Sequence, residues 1–489
     1  MAIEANVAQS PGWYLLRLGN RISTETGRFD TLGSYDSGDH PLPTGNRKQR
    51  ETYRRFQEMS RTNYVGLVSE SVRERLRIIG FFTGKGQDQK TDDTAWQIWQ
   101  ANSLDAESNT VHHKALSLSR SYVIVGPNPD DSTKPLITAE DPRQVIHESD
   151  PIRPRKVLAA MKYWHDSLTG RVVAIVYMPD GFYYFRSANP AKPSDTVSWQ
   201  AAWWEVDESK YRGGFMKNPI GEVPVEPFIN RRERGGMGEF EDVTGIQDRI
   251  NVTVLDRMVI QTMQAYRQRW MKGVDLEDKD GNPEAPFDPG ADLLWAVPDA
   301  DAAFGDFSPA DLLQVIRACE SDIRDLAAIS RTPPHYLLAN IANVSGDALA
   351  TAESGLTSKV RDRATEFGES WERVIRLAFK FAGGAQAGDD SVIVWADPER
   401  RTLSELADAA VKYESAGVPF RERMSLLGFT PSQIDRMEAE RMRDALIAAL
   451  ANPLGVAPGA APGTEQVPLT APGQTPAPSN QPASPPASK

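Results

Sequence analysis

Three short stretches of the sequence carry residue types that chemistry uses. Gly80-Phe-Phe-Thr-Gly84-Lys85-Gly86 approaches a phosphate loop, in which backbone N–H groups and a lysine cradle phosphate oxygens. It has three residues between its first glycines where four are needed, and glycine where a magnesium-binding Ser or Thr belongs, so it is rejected as an ATP site. The turn at Asp278, Asp280 and Gly281 approaches a calcium loop, yet Leu276 and Phe287 stand at its first and twelfth ligand positions. His112 and His113 are adjacent, so on a helix they point about 100° apart and cannot serve one metal from one face. The lone cysteine, Cys319, allows neither a disulfide framework nor a Cys-based zinc site. There is no HExxH, no GxSxG and no glycine fingerprint after a strand. Acid pairs such as Asp92-Asp93 read as caps or solvated faces before they read as a two-metal site. The expectation is no catalytic residue, no cofactor and no metal, and therefore not an enzyme.

Composition narrows the remaining classes. The chain has 489 residues, with 55 Lys and Arg against 67 Asp and Glu, a formal charge of −12. That is not a cationic coat for nucleic acid. Hydrophobic residues at 40% permit a sizeable core, and roughly 100 to 200 residues per domain suggests several units. The first residues lack a basic start and an apolar core of about 7 to 15 residues, so no secretory signal is expected. The apolar run Val172–Met178 is far below the roughly 18 residues of a membrane span, and single-cysteine usage fits a reducing compartment; no membrane partner is expected.

The elements that must position any functional residue follow from periodicity. Helices are expected from Asn46 to about Gly80, then over Thr91–Ala101 and Leu104–Ser119. Arginines among the aromatics of the first stretch could touch nucleic acid, but Glu51 and Glu58 dilute them and a solvated face is the better reading. Strands are expected at Tyr122–Val125, Val157–Trp164, Val172–Tyr177, Phe182–Phe185 and Trp203–Val206. Pro179-Asp180-Gly181 marks a hairpin between two of them. The fold class is α+β, mainly helical, with an antiparallel sheet.

From Phe240 to about Met271 the pattern predicts one helix of some thirty residues, roughly 45 Å long, with apolar tracks at Ile246, Ile250, Val254, Met258 and at Val252, Leu255, Val259, Met263. Gly273–Phe307 then carries ten acidic residues against Lys279 alone. Ser308-Pro309-Ala310-Asp311 predicts an N-cap and a helix start, and Leu312, Ile316, Cys319, Ile323 and Leu326 form a coiled-coil-like seam. In that seam Cys319 reads as a buried structural thiol. Pro333-Pro334 ends the helix, His335–Gly346 is expected as a loop, and a third long helix runs from near Ser345 or Asp347 to about Phe381. A strand at Val392–Trp395 and helices at Leu403–Ser415, Pro419–Leu427 and Pro431–Leu450 follow. The stretch 452–489 holds ten of the 35 prolines and cannot bury a core, so it is expected as a disordered tail.

This order of parts resembles the portal proteins of tailed double-stranded-DNA bacteriophages, of the siphophage type found in actinobacterial phages. The segments that carry the likeness are Asn63-Tyr-Val-Gly-Leu-Val-Ser-Glu-Ser-Val-Arg-Glu-Arg-Leu76 with Gly80-Phe81, Ile98-Trp-Gln-Ala-Asn102, Ser330-Arg-Thr-Pro-Pro-His-Tyr-Leu-Leu338 and Ala352-Glu-Ser-Gly-Leu356. The resemblance implies a portal-type fold: wing 1–239, stem helix 240–272, clip 273–307, second stem helix 308–331, channel loop 332–346, long helix and wing strand 347–402, and crown 403–451. It implies a homo-oligomeric ring, usually of twelve, at one capsid vertex of the virion, assembled in the host cytoplasm. Its partners would be the terminase large subunit, head-completion or adaptor proteins, the major capsid and scaffold proteins, and double-stranded DNA passing through without sequence specificity. Carried onto this chain, the channel-loop candidates are Asn340, Asn343, Val344 and Ser345, and the clip docking candidates are Asp275, Glu277, Asp278, Asp280 and Trp295. Arg267, Arg269 and Lys272 would be stem cations near the clip, in the last turn of the first stem helix, where cations favour the helix dipole. Two other classes compete: a capsid or scaffold structural protein, and a DNA-processing enzyme of the packaging apparatus.

Overall fold

The computed structural model describes residues 3–43, 50–83, 93–131, 134–265, 269–272, 301, 303–306, 310–338, 346–383, 391–399, 403–429 and 431–451. The chain divides into two units, 1–434 and 435–489.

The first element was not anticipated from the sequence. Helix α1 (Pro11–Ser37) opens on Ser10, whose side chain accepts from the Trp13 N–H, with Pro11 where a missing N–H costs nothing. It closes on Gly38 at φ 80, the left-handed conformation that returns N–H groups to the last carbonyls. Helices α2 (Arg50–Ser60) and α3 (Tyr64–Arg73) follow, then strand β1 (Ile78–Thr83). Gly80 is therefore in a strand, and the expected helical reach to it is corrected. β1 pairs with a strand from the far end of the unit, and that ladder overrides local helical pattern. Helices α4 (Asp93–Ala101) and α5 (Leu104–Leu118) stand where expected.

The β region holds every expected strand and several more: β2 (Arg120–Pro127), β3 (Pro135–Glu140), β4 (Val145–Ser149), β5 (Val157–Asp166), β6 (Arg171–Tyr177), β7 (Gly181–Ser187), β8 (Trp204–Val206), β9 (Phe215–Lys217) and β10 (Val225–Ile229). β6 and β7 form the anticipated hairpin, Tyr177 opposite Phe182, with the Met178 N–H donating to the Gly181 carbonyl. One sheet runs β4-β5-β6-β7-β8 with β9 also on β7; another runs β10-β2-β3. Helix α1 lays Leu15, Leu18 and Ile22 on the larger sheet, against Met161, Val172, Ala174 and Val176. Gly19 allows the Trp199 ring to lie on that helix, since a Cβ there would meet the ring at 2.0 Å.

Next come α6 (Thr244–Ala265), β11 (Arg269–Lys272), β12 (Ala303–Asp306), α7 (Leu312–Ser330), α8 (Pro334–Leu337), α9 (Gly346–Phe381), β13 (Ser391–Trp395), α10 (Leu403–Ser415), α11 (Phe420–Leu426) and α12 (Pro431–Ala451). β13 pairs antiparallel with β1, Ile393 opposite Phe81. Helix α9 is the spine of the largest core, in which Phe367, Trp371, Val374 and Ala378 pack with Trp99, Val111, Leu116, Val123 and Phe228. Of the second unit, the described part is residues 435–451 of α12, where Met442, Leu446 and Leu450 are exposed at a spacing of four.

The two adjacent histidines separate as a helical step requires. His112 is buried and accepts from Trp371 Nε1–H at 2.8 Å, and burial pushes its imidazole down to about 3, so it is neutral. His113 instead meets Asp36 at 2.8 Å, and that hydrogen bond raises its pKa above the ordinary imidazole value. A raised folded-state value stabilises the fold fully below about pH 6.5, with the contribution lost as pH rises through the folded value. His113→Gln should therefore lower the urea midpoint measurably near pH 5.5 and much less near pH 9; an equal loss at both would mean the pair acts by packing alone.

Candidate channel and docking elements

α6 and α7 lie side by side, and their bases are held by buried polar groups as well as apolar contacts. On α6, the Gln247 carbonyl oxygen accepts from Tyr64 N–H at 2.9 Å, while its amide donates to the Thr62 carbonyl at 2.9 Å. One turn on, Asn251 accepts from the Thr62 N–H and hydroxyl and bonds His40 at 2.6 Å. The Tyr35 hydroxyl donates to Asp248, and burial together with that carboxylate pushes the phenol up. Ile250 and Val254 fill the core below, and Arg249 on the same helix reaches Asp322 at 2.9 Å and Asp325 at 3.4 Å on α7.

The expected helix over 240–272 is corrected at both ends. A short 3-10 turn, Glu241–Val243, precedes α6, and residues 269–272 are strand β11. β11 pairs with β12 in the register Arg269–Asp306, Trp270–Gly305, Met271–Phe304 and Lys272–Ala303. The Trp270 ring covers Gly305, where a Cβ would come within 2.6 Å of it. Cross-strand hydrogen bonds and that ring contact are gains the helical continuation cannot offer. Arg269 and Lys272 thus stand on a strand at the foot of the acidic insertion, and the helix-dipole argument for them fails. Arg267 lies outside the described residues, as do Asp275, Glu277, Asp278, Asp280 and Trp295.

α7 starts at Asp311, whose carboxylate accepts from Leu313 N–H at 2.9 Å, and not at Ser308. Its expected seam is half packed. Ile323 and Leu326 are buried, whereas Leu312 is half-buried and Ile316 is 36% exposed. Cys319 is half-buried against the core shared by α1, α3, α6 and α7, and burial pushes its thiol up, which disfavours the thiolate a nucleophile needs.

The helix ends on Arg331 at φ 52, with Thr332 N–H returning to the Ala327 carbonyl. Pro333 and Pro334 then open the four-residue helix α8, so part of the expected loop is helical: Pro334 sits at its first position, where it fits. Leu337 enters the core. The Tyr336 hydroxyl meets Arg75 at 2.7 Å, Arg75 meets Glu353 of α9 at 3.1 Å, and His335 meets Glu353 at 3.5 Å. Arg75 also donates to the Pro398 carbonyl. Both flanks of 339–345 are thereby fastened to one polar cluster. The loop candidates Asn340, Asn343, Val344 and Ser345 themselves lie outside the described residues.

A second cluster, missed by sequence reading, binds three elements together. Glu239, 6% exposed just ahead of α6, faces Lys359 at 3.6 Å and Arg363 at 3.0 Å, two cations one turn apart on α9. Asn230 donates to the same carboxylate at 3.1 Å, and Lys359 also donates to the Ser330 carbonyl at the end of α7 at 2.8 Å. Burial alone would raise the Glu239 pKa, but Lys359 and Arg363 hold it below the ordinary carboxylate value. Burial pushes the Lys359 ammonium down while Glu239 opposes that push. The available signal was a pair of cations, four apart, inside the apolar stripe of Leu356, Val360 and Phe367.

Among the described residues no three His, Cys, Asp or Glu side chains are placed to hold a metal ion, and no helix is long and apolar enough to cross a membrane. What the described residues offer is architecture: a braced helix pair, α6 and α7, with the flanks of 339–345 fastened to one polar cluster.

Comparison with known proteins points to one family. Residues 73–445 match the family model described as phage portal protein, SPP1 Gp6-like. The chain is similar to the portal protein of Mycobacterium phage D29, 29% identical over 403 residues that cover 78% of each chain. It is likewise similar to the portal protein of Mycobacterium phage L5, 28% identical over 431 residues that cover 82% of each.

Proposed function

Because the chain belongs to the SPP1 Gp6-like family of phage portal proteins and its function is that of a phage portal, we propose that it closes into a ring of twelve at one capsid vertex, through which double-stranded DNA is packaged and ejected. The observation that carries the ring is the α6–α7 pair. Its inner faces are locked into the subunit, yet Val252 on α6 and Ile329 on α7 remain 42% and 58% exposed, apolar side chains that a neighbouring copy would cover.

In this reading 273–307, with Asp275, Glu277, Asp278, Asp280 and Trp295, is the clip that docks the terminase large subunit and later the head-completion or adaptor proteins. Arg269 and Lys272 on β11 stand at its root. The segment 339–345 faces the channel, where Asn340, Asn343, Val344 and Ser345 offer uncharged contact to a moving duplex. An acidic subunit repels phosphate overall, which suits sliding better than gripping. Major capsid and scaffold proteins surround the ring during assembly in the host cytoplasm. No observation favours the shell-protein or DNA-processing alternatives.

Negative-stain imaging with native mass measurement tests the ring. Closed rings with a central opening near twelve times 54.0 kDa, about 648 kDa, are expected. A chain that stays monomeric with scaffold protein present would overturn the proposal.

A further inference from the structure

Helix α7 carries arginines at 317 and 324, and Arg331, seven residues further on, is the residue that ends it. Seven residues return nearly to the same direction on a helix, drifting about 20°, and rise about 10.5 Å. All three are exposed, and Arg317 and Arg324 stand on the face opposite buried Ile323, Leu326 and Ser330. The acids beside them are engaged: Glu320 holds Arg324 at 3.0 Å in an exposed pair that exchanges readily with solvent, and Asp322 and Asp325 hold Arg249 of α6. Arg317 and Arg331 have no ion-pair or hydrogen-bonded side-chain partner among the described residues.

Arg331 adds an independent sign. It occupies the left-handed helix-ending position at φ 52, where glycine is the unstrained choice. A cation there could serve the helix dipole, but that end is already served, since Lys359 donates to the Ser330 carbonyl and Thr332 N–H to that of Ala327. A long charged side chain is thus kept on a reluctant backbone with no ion-pair or hydrogen-bond partner for it among the described residues.

We propose that Arg317, Arg324 and Arg331 form a rail for the phosphate backbone of duplex DNA along the exposed face of α7, an inference that rests on the portal reading. Charge complementarity selects the occupant, because the guanidinium fork fits phosphate oxygens and phosphate contact reads no sequence. Rungs about 10.5 Å apart divide the roughly 34 Å turn of a duplex near thirds, so an advancing strand leaves one rung as it nears another and is never held at every rung.

The test uses the assembled full-length protein and a fluorescent 30-base-pair duplex, with binding followed by anisotropy over a salt series. R317Q/R324Q/R331G removes the rail and relaxes the backbone at its last rung. The expected result is intact rings, at least about tenfold weaker binding, and a salt slope shallower by about 2. R436Q/R443Q, removing charge from α12, should leave binding near wild type. Unchanged affinity and slope in rings of the triple variant would overturn the rail. Loss of rings in that variant would also overturn it, making the face a subunit contact, and equal weakening by both variants would replace it with diffuse attraction. Failure of the wild type itself to form rings would count against the portal reading, a separate result read from the same images.

Discussion

Glu239→Gln is expected to cost about 3 to 5 kcal/mol of folding stability, the usual penalty for removing one member of a buried ion cluster and stranding the others. Lys359 and Arg363 would keep their charges in a site with side chains 5% and 12% exposed, facing an amide that cannot neutralise them. Because the folded Glu239 carboxyl lies below its ordinary value, its contribution is present above the ordinary carboxylate range and fades as pH falls through the folded value. The variant's deficit in urea midpoint should accordingly be large at pH 7 and shrink toward pH 3. A deficit below about 1 kcal/mol at pH 7, as for an exposed pair, would mean water reaches the cluster. The triple substitution of Glu239, Lys359 and Arg363 by apolar residues of similar volume should recover much of the loss, since removing every charge leaves none uncompensated.

Trp371→Ala is expected to be as damaging, at about 3 to 5 kcal/mol, because a buried indole leaves a cavity its rigid neighbours cannot fill. Trp371 touches Phe228 at 4.8 Å and Trp99 at 5.0 Å between ring centres, and its N–H supplies the hydrogen bond to His112. Trp371→Phe isolates that bond: most of the area stays while a buried imidazole nitrogen loses its donor, at about 1 to 3 kcal/mol. Denaturant unfolding of both variants would separate packing from polar satisfaction. Equal losses would assign the whole effect to the hydrogen bond, and no loss for the phenylalanine would assign it to volume.

Elements with a single local cause were legible in the sequence. The β6–β7 hairpin follows from its turn residues, and α9 from an unbroken helical period over Leu356, Val360, Phe367 and Trp371. α1 escaped because Glu25 and Thr26 interrupt its apolar stripe, although Ser10-Pro11 and Gly38 mark its ends. β10 escaped because Pro227 stands inside it, which is tolerable only because β10 is an edge strand that the sequence does not identify as one. The end of α6 was misjudged because strand β11 exists only through β12, more than thirty residues on.

The braces of the candidate site were beyond reach for the same reason. Glu239 finds Arg363 across 124 residues, and nothing local to either announces the other. Of the residues singled out for docking and channel contact, Arg269 and Lys272 fall within described elements, and both changed from helix to strand.

The pairing of β1 with β13, and the Arg75 contact to Pro398 across 323 residues, also set a timetable. A ribosome adding about 5 to 20 residues per second needs tens of seconds between those partners. Until α9 emerges late in that interval, Trp99, Val111 and then Phe228 lack the α9 side chains that cover them. The amino-terminal half therefore completes its fold only after α9 and β13 have emerged. A product truncated before β13 is left with an unfinished core.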